Sequence, residues 1–328
     1  MKMYLRILSV AIALAAMASV SWAGESTTKV GATFYYDYFV NTTDGADEGE
    51  DATKGWQLRR SYLTVKKSWG DMMFRYTSDV SYSEETGNLN TFTKYAYVQR
   101  KCTLIPGSNL IFGLHSPKTH AWVEGRWHYR SVAKTMSDMN KWTNAAQLGF
   151  GLQGKVADGA VEYFFDLNNG NGYKEPVAKD GIGFAGRLAF QPVPGLYLAG
   201  LFTSNTPGGD MTEANTYFEG LAGYDAGIFE LYGQYGLYTN GNDDDLKSSG
   251  ISVFGRAPIT EGVFVMGRYD MVDPDVDSDN DGHNFMLFGL DLEGHENFFV
   301  QPSFRVTSYE ADGVDNQSEF VLTFYGKI

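Results

Sequence analysis

The chain has 328 residues but a single cysteine, Cys102, and only nine prolines. One cysteine excludes an internal disulfide and, without a Cys-x-x-Cys-His run, covalently attached haem. Histidine is also scarce, at five residues, and none of His115, His120, His128, His283 and His295 stands in a spacing with Ser or Asp that builds a nucleophile and its base. The function expected is therefore not enzymatic. After the first twenty-odd residues no apolar run is long enough for a transmembrane helix. If the chain crosses a membrane it does so as a closed barrel, the other shape that satisfies every backbone group in lipid.

What is abundant fits that alternative. Glycine (38), Tyr (21) and Phe (22) supply turns, strands and interfacial aromatics. The first residues form an export signal: Lys2 and Arg6, an apolar run from Ile7 to Val20, and Ser21-Trp22-Ala23 as a small-residue cleavage site. Residues 1–23 are read as a signal peptide and 24–328 as one outer-membrane barrel.

The barrel reading rests on period two. In Gln147–Val156, Leu148, Phe150, Leu152 and Val156 share one phase, and Gln147, Gly149, Gly151, Gln153 and Lys155 the other. Successive side chains of a strand point to opposite faces, so one face suits hydrocarbon and the other water. Val161, Tyr163, Phe165 and Leu167 repeat the pattern against Ala160, Glu162, Asp166 and Asn168, with Phe164 the misfit. Met72, Phe74, Tyr76, Val80 and Tyr82 repeat it against Asp71, Arg75, Thr77, Asp79 and Ser81. About sixteen such segments of roughly ten residues are expected, the length a tilted strand needs to cross a membrane. Alternation is weakest in the second and fourth, and the shift of apolar phase around Arg59-Arg60 predicts a bulge.

Connectors alternate in length. Trp69-Gly70-Asp71, Ile105-Pro106-Gly107, Ala157-Asp158-Gly159, Pro192-Val193-Pro194-Gly195, Asp225-Ala226-Gly227 and Pro258-Ile259-Thr260 read as tight turns. Asn41–Lys54, Ser116–Asn144, Asn169–Asp180, Asn240–Asp245 and Asp273–His283 are longer and polar. Short periplasmic turns and long external loops are the rule for bacterial barrels, which places both termini on the periplasmic side.

Four stretches, GWQLRRSYLTVKKSWGDMMFRYTSDVS at 55–81, YAYVQR…LIFGLHSPK at 95–118, AQLGFGLQGKV…NGNGYKE…GRLAFQPVPGLYLAG at 146–200 and FVQPSFRVTS at 299–308, resemble the phosphate-selective porins O and P and their relatives. The resemblance implies a sixteen-stranded, trimeric, general or anion-preferring porin. The last strand ends in Ile328 where a terminal aromatic is typical of the family. No positions match the family's lysine-rich phosphate site, so phosphate selectivity is not carried over.

Formal charge is −14, or −16 without Lys2 and Arg6. Much of it clusters in Asp44–Asp51, Asp243–Asp245 and Asp270–Asp281, in or beside connectors. Screening acts over about 8 Å at physiological salt, so charges at a constriction should govern permeation more than these. The resemblance to sixteen-stranded porins points to the longest connector, Ser116–Asn144, as the loop folded into the lumen. It carries Lys118, Arg126, Arg130, Lys134 and Lys141 against Glu124 and Asp138. If Trp122–Met136 is helical, Arg126, Arg130 and Lys134 form one cationic face. Arg75, Lys155, Arg187, Arg256, Arg268 and Arg305 are expected to face the lumen and favour anions. Asp79, Glu162, Asp166, Asp270 and Asp291 share those faces, so salt-bridge ladders across the wall are the alternative. Asp277–Gly282 opens like a calcium loop, but position twelve is Phe288 rather than Glu, so no metal site is expected there.

The reading is an outer-membrane porin for passive diffusion of small hydrophilic solutes, with a mild anion preference. Its expected partners are those solutes and anions, outer-membrane lipid or lipopolysaccharide, and two further copies of itself. No cofactor and no nucleic acid are expected. The alternatives are a plugged structural or adhesion barrel and a sheath around an electron-transfer partner.

Overall fold

The computed structural model describes residues 26–43, 54–83, 87–173, 180–243 and 246–328. The signal segment and the acidic run at 44–51 lie outside these residues, as do Asp244 and Asp245.

Sixteen antiparallel strands close into one barrel in sequence order, β1 against β16. They are β1 Ser26–Asn41, β2 Lys54–Trp69, β3 Met72–Ser83, β4 Asn88–Lys101, β5 Ser108–His115, β6 Gln147–Val156, β7 Val161–Asn168, β8 Ile182–Phe190, β9 Leu196–Thr206, β10 Asn215–Asp225, β11 Glu230–Asn240, β12 Leu246–Thr260, β13 Val263–Asp273, β14 His283–His295, β15 Phe298–Tyr309 and β16 Gln317–Lys327. Closure leaves no unpaired edge, which is what a hydrocarbon surround demands. Among the described residues no helix is long and apolar enough to cross a membrane.

Period two carries through to the walls. The outward phase exposes Phe165, Leu188, Phe218, Tyr235, Ile251 and Phe288, whereas the inward phase buries Thr77, Asp79, Asp166, Glu219, Gln234 and Asp270. Phe164, the misfit, points inward, is 0 % exposed and meets His115 edge-on.

Two of the predicted turns move. Pro258-Ile259-Thr260 stays in β12, whose register slips between Pro258 and Thr260, and the chain reverses at Glu261-Gly262 instead, with Gly262 at φ 71°. The turn after β10 extends to Phe229, so β11 starts at Glu230 rather than 227. In both cases ladder hydrogen bonds, invisible to residue type, set the limit.

The bulge expected around Arg59-Arg60 is present: Tyr35 pairs with Arg60 and Tyr36 with Leu58, leaving Arg59 as the extra residue. A second occurs in β4, where Thr77 pairs with Tyr95 and Ser78 with Thr93, leaving Lys94 over. An extra residue lets two successive side chains face the same way. Arg59 and Arg60 accordingly both reach lumenal carboxylates, of Asp37 and Asp79, and Lys94 is buried beside Tyr95.

Candidate functional site: the inner loop and the facing wall

Residues 116–146, between β5 and β6, fold inside the barrel. They contain helix α1, His120–Trp127, and the single turn α2, Met136–Met139. The single helix expected over Trp122–Met136 does not form: His128 adopts φ 59° and ends α1. Arg126, Arg130 and Lys134 therefore do not share a helical face.

An apolar edge seats the loop. Trp122, Val123, Trp127, Tyr129 and Val132 pack on Ala189, Leu201, Leu221, Tyr232, Phe254, Met266, Phe285 and Leu287, inward-facing residues of β8 to β14. Trp127 meets Phe254 edge-on at 5.7 Å, and its indole N–H donates to Ala133 O at 2.8 Å. At Gly250 a Cβ would lie 2.8 Å from Met136 Sδ, so the missing side chain gives Met136 of α2 its room against β12.

Wall arginines hold the loop's backbone. Arg187 donates to Lys118 O at 2.7 Å and Arg305 to Val132 O at 2.7 Å. Arg59 and Arg268 donate to the carbonyls of Ser131 and Lys134. Hydrogen bonds from charged groups contribute about 1.5–3 kcal/mol each.

These anchors decide the fate of the expected lumenal cations. Lys155 faces Glu162 at 2.5 Å, Arg187 the same carboxylate at 3.5 Å, and Arg305 Glu319 at 2.9 Å. Arg256 Nε donates to Glu230 at 2.7 Å and Arg268 Nε to Asp270 at 2.9 Å. Asp166 accepts from Gln147 at 2.6 Å and Asn168 at 2.8 Å, and its other oxygen is 2.8 Å from His115. Asp291 accepts from Gln301 at 2.9 Å. The wall ladder is the arrangement formed at these positions. Arg75 differs: it lies over Tyr95, 4.7 Å from the ring centroid, bonds Thr77 Oγ1 at 3.1 Å, and has no carboxylate within ion-pair distance among the described residues.

Within the loop, the Arg126 guanidinium lies over Trp122, 3.5 Å from the ring centroid, and over Tyr197 at 4.9 Å. Arg130 bridges Glu124 at 2.6 Å and Asp138 at 2.9 Å. Lys134 is half exposed, 3.9 Å from Asp138, and Lys141 is exposed. Burial would raise the Glu124 pKa, but His120, Arg130 and Arg60 outweigh it and hold the carboxyl at about 2. Burial likewise opposes the charge on His120, yet Glu124 and Asp138 raise its pKa above the usual value. Burial, helped by Arg75, Arg187 and Lys66, pushes Lys118 down to about 8.

This polar edge of the loop looks across at β1–β4. Tyr35, Arg60 and Lys94 are close enough to Glu124, Arg130 or Asp138 to act on them electrostatically. Arg60 lies over Tyr35 and Tyr62, and Lys94 over Tyr173 at 3.7 Å. Nearer the short-turn end, Lys29 is directly opposite Lys66, and Lys66 directly opposite Arg75, all on the inward phase. Like charges at such positions cost stability. None of the three has an ion-pair partner among the described residues. Sequence reading missed Lys29, Lys66, Arg60 and Lys94. The Arg-Arg doublet and the failing alternation in the second and fourth strands were the available signals for two of them.

In the acidic connector at 274–282, Asp275 accepts from Asp277 N at 3.2 Å and from Ser278 Oγ at 2.6 Å.

No family model matches the chain, and no curated protein matches its sequence. Solved structures do match its shape. An anion-selective porin from Comamonas acidovorans superimposes with a TM-score of 0.70 at 14% identity, covering 93% of this chain and 100% of that one. This chain has the porin fold. OmpF of Salmonella typhi, solved with daunomycin, gives 0.68 at 12% identity over 92% and 97% of the two chains. Vibrio cholerae OmpT lacking loop L8 gives 0.67 at 11% identity over 92% and 99%. The closed sixteen-strand barrel is thus shared with outer-membrane proteins of very different sequence.

Proposed function

We propose that the protein is an outer-membrane porin through which small hydrophilic solutes diffuse passively, with a preference for anions. The observation that carries the reading is the unbalanced cationic row Lys29, Lys66 and Arg75 on the inward face of β1, β2 and β3, with Lys118 of the inner loop beside it. Such a row opposes folding unless something anionic passes or binds there, and rings of cations are how pores favour anions. The anion selectivity of the Comamonas porin is consistent with this. The anion preference is assigned to that row, which has no carboxylate within ion-pair distance among the described residues, rather than to Arg130 and Lys134, which lie beside Asp138, or to Arg126, which is stacked on Trp122.

The likeness of four sequence stretches to the phosphate-selective porins suggests phosphate-like anions among the solutes. Export by a cleaved signal at residues 1–23, periplasmic termini and a homotrimer complete the reading; one Vibrio cholerae OmpT structure is described as a trimer form. Lipopolysaccharide would meet the long polar connectors. Single-channel recording under a salt gradient tests the core of it. Stable open steps with a reversal potential on the anion side are expected, whereas a silent barrel would mean a plugged structural role.

A further inference from the structure

The inner loop gathers three metal-binding side chains from separate parts of its path. His120 opens α1, Glu124 lies one turn on, and Asp138 comes from α2; one donor atom of each lies within 4.8 Å of the others. His120 is 2 % exposed. Its Nδ1 sits 3.2 Å from Thr143 Oγ1, while Nε2 points at Glu124 Oε1, 3.2 Å away, and Asp138 Oδ2, 3.9 Å away. Both atoms are buried and neither makes a hydrogen bond of good geometry among the described residues, although Nε2 faces Glu124 Oε1 and Arg130 Nη2 lies 2.9 Å from Asp138 Oδ2.

An imidazole lone pair aimed at two carboxylates is repulsive unless an electrophile, a proton or a metal ion, lies between them. One imidazole nitrogen and two carboxylates suit borderline divalent ions such as Zn2+, whereas Ca2+ and Mg2+ prefer oxygen alone. Bonds of 2.0–2.1 Å in tetrahedral geometry set neighbouring donors about 3.3 Å apart, within several tenths of an ångström of the two separations here. The Thr143 hydroxyl supplies the outer support that fixes a ligating histidine's ring.

One group competes. Arg130 Nε donates to Glu124 Oε1 at 2.6 Å, and Nη2 lies 2.9 Å from Asp138 Oδ2. The guanidinium is the loop's own cation on the same two carboxylates.

We propose that His120, Glu124 and Asp138 form a site for a Zn2+-class divalent ion at the lumenal edge of the inner loop, and that the ion displaces Arg130 into the lumen. The two positive charges of the ion neutralise both carboxylates. Arg130 then carries an unpaired charge at the constriction, and the pore becomes more anion-preferring. The effect on current rests on the porin reading; the binding does not.

The test titrates Zn2+ into untagged, folded protein in detergent by calorimetry, with Co2+ absorption as a second readout. One ion per chain is expected. Removing the competitor in Arg130→Ala or the bulkier Arg130→Gln should tighten binding about tenfold or more, and His120→Ala should weaken it by at least as much. His128→Ala, the loop's other histidine, should bind as the parent does. Heat-modifiable mobility on gels identifies the folded variants. Failure of both Arg130 variants to bind Zn2+ more tightly than the parent, or undiminished binding by His120→Ala, overturns the proposal. In bilayers Zn2+ should move the parent's reversal potential further toward anions and leave His120→Ala unmoved. Binding in detergent without any channel current would leave the metal site standing and defeat the porin reading instead.

Discussion

Replacing Lys66 and Arg75 together by Glu should turn the channel against anions. The two side chains are directly opposite each other on neighbouring strands and have no carboxylate partner among the described residues. The substitution exchanges the like-charge pair at 66 and 75 for another and sets a carboxylate at position 66 opposite Lys29, so its cost in fold stability should be small, each opposed pair being worth roughly 0.2–1 kcal/mol. A unit charge 8 Å from a passing monovalent ion is worth about 0.5 kcal/mol in water, and screening over one Debye length reduces that to about 0.2 kcal/mol. Each Lys or Arg to Glu change is worth two unit charges. The double variant thus moves the anion by about 0.8 kcal/mol and the cation by the same amount in the opposite sense. The permeability ratio should fall by somewhat more than tenfold. Reversal potentials in a tenfold salt gradient across planar bilayers measure it directly. Asp277→Asn with Asp279→Asn, in an exposed connector, serves as the control and should change the ratio little. A double variant that folds yet shifts the ratio less than twofold would place Lys66 and Arg75 outside the permeation path and refute the assignment.

Further outcomes follow from the same geometry. Lys118 loses its proton near pH 8, so anion preference should decline as pH rises from 7 to 9, and Lys118→Met should flatten that profile. Trp127→Ala should destabilise the loop by about 3–5 kcal/mol, read as larger, noisier conductance; quiet parental steps would show that the apolar seat is not what holds the loop. A tag between Asp275 and Gly282 should be reached by antibody on intact cells and one at Asp158-Gly159 should not, the reverse pattern inverting the topology. Folded protein should give a β-dominated circular dichroism spectrum and run differently on gels when unheated.

Much of the architecture was legible in residue order. A strand's period of two is local, so the alternation in 147–156 or 72–82 tells lipid face from lumen before any partner is known, and sixteen strands form as it predicts, with the limits of β11 and β12 displaced. The bulge at Arg59 was legible too, because a phase shift in apolar residues is itself a local signal. The site was not. Arg126, Arg130 and Lys134 have helical spacing, but the chain breaks at His128, and packing of Trp127 on Phe254 together with carbonyl bonds from Arg59, Arg268 and Arg305 sets where each charge ends. Sequence lists charges without their partners. Whether Arg187 favours an anion or merely ties Lys118 O and Glu162 depends on groups dozens of residues away, brought within 4 Å by the pairing of β7 with β8 and by the folding of the loop into the barrel. Only the pairing register of β1, β2 and β3 sets Lys29, Lys66 and Arg75 in one row, and only the tertiary structure leaves that row without a carboxylate partner among the described residues. Coulomb energies depend on distance across the fold, and sequence separation does not encode that distance.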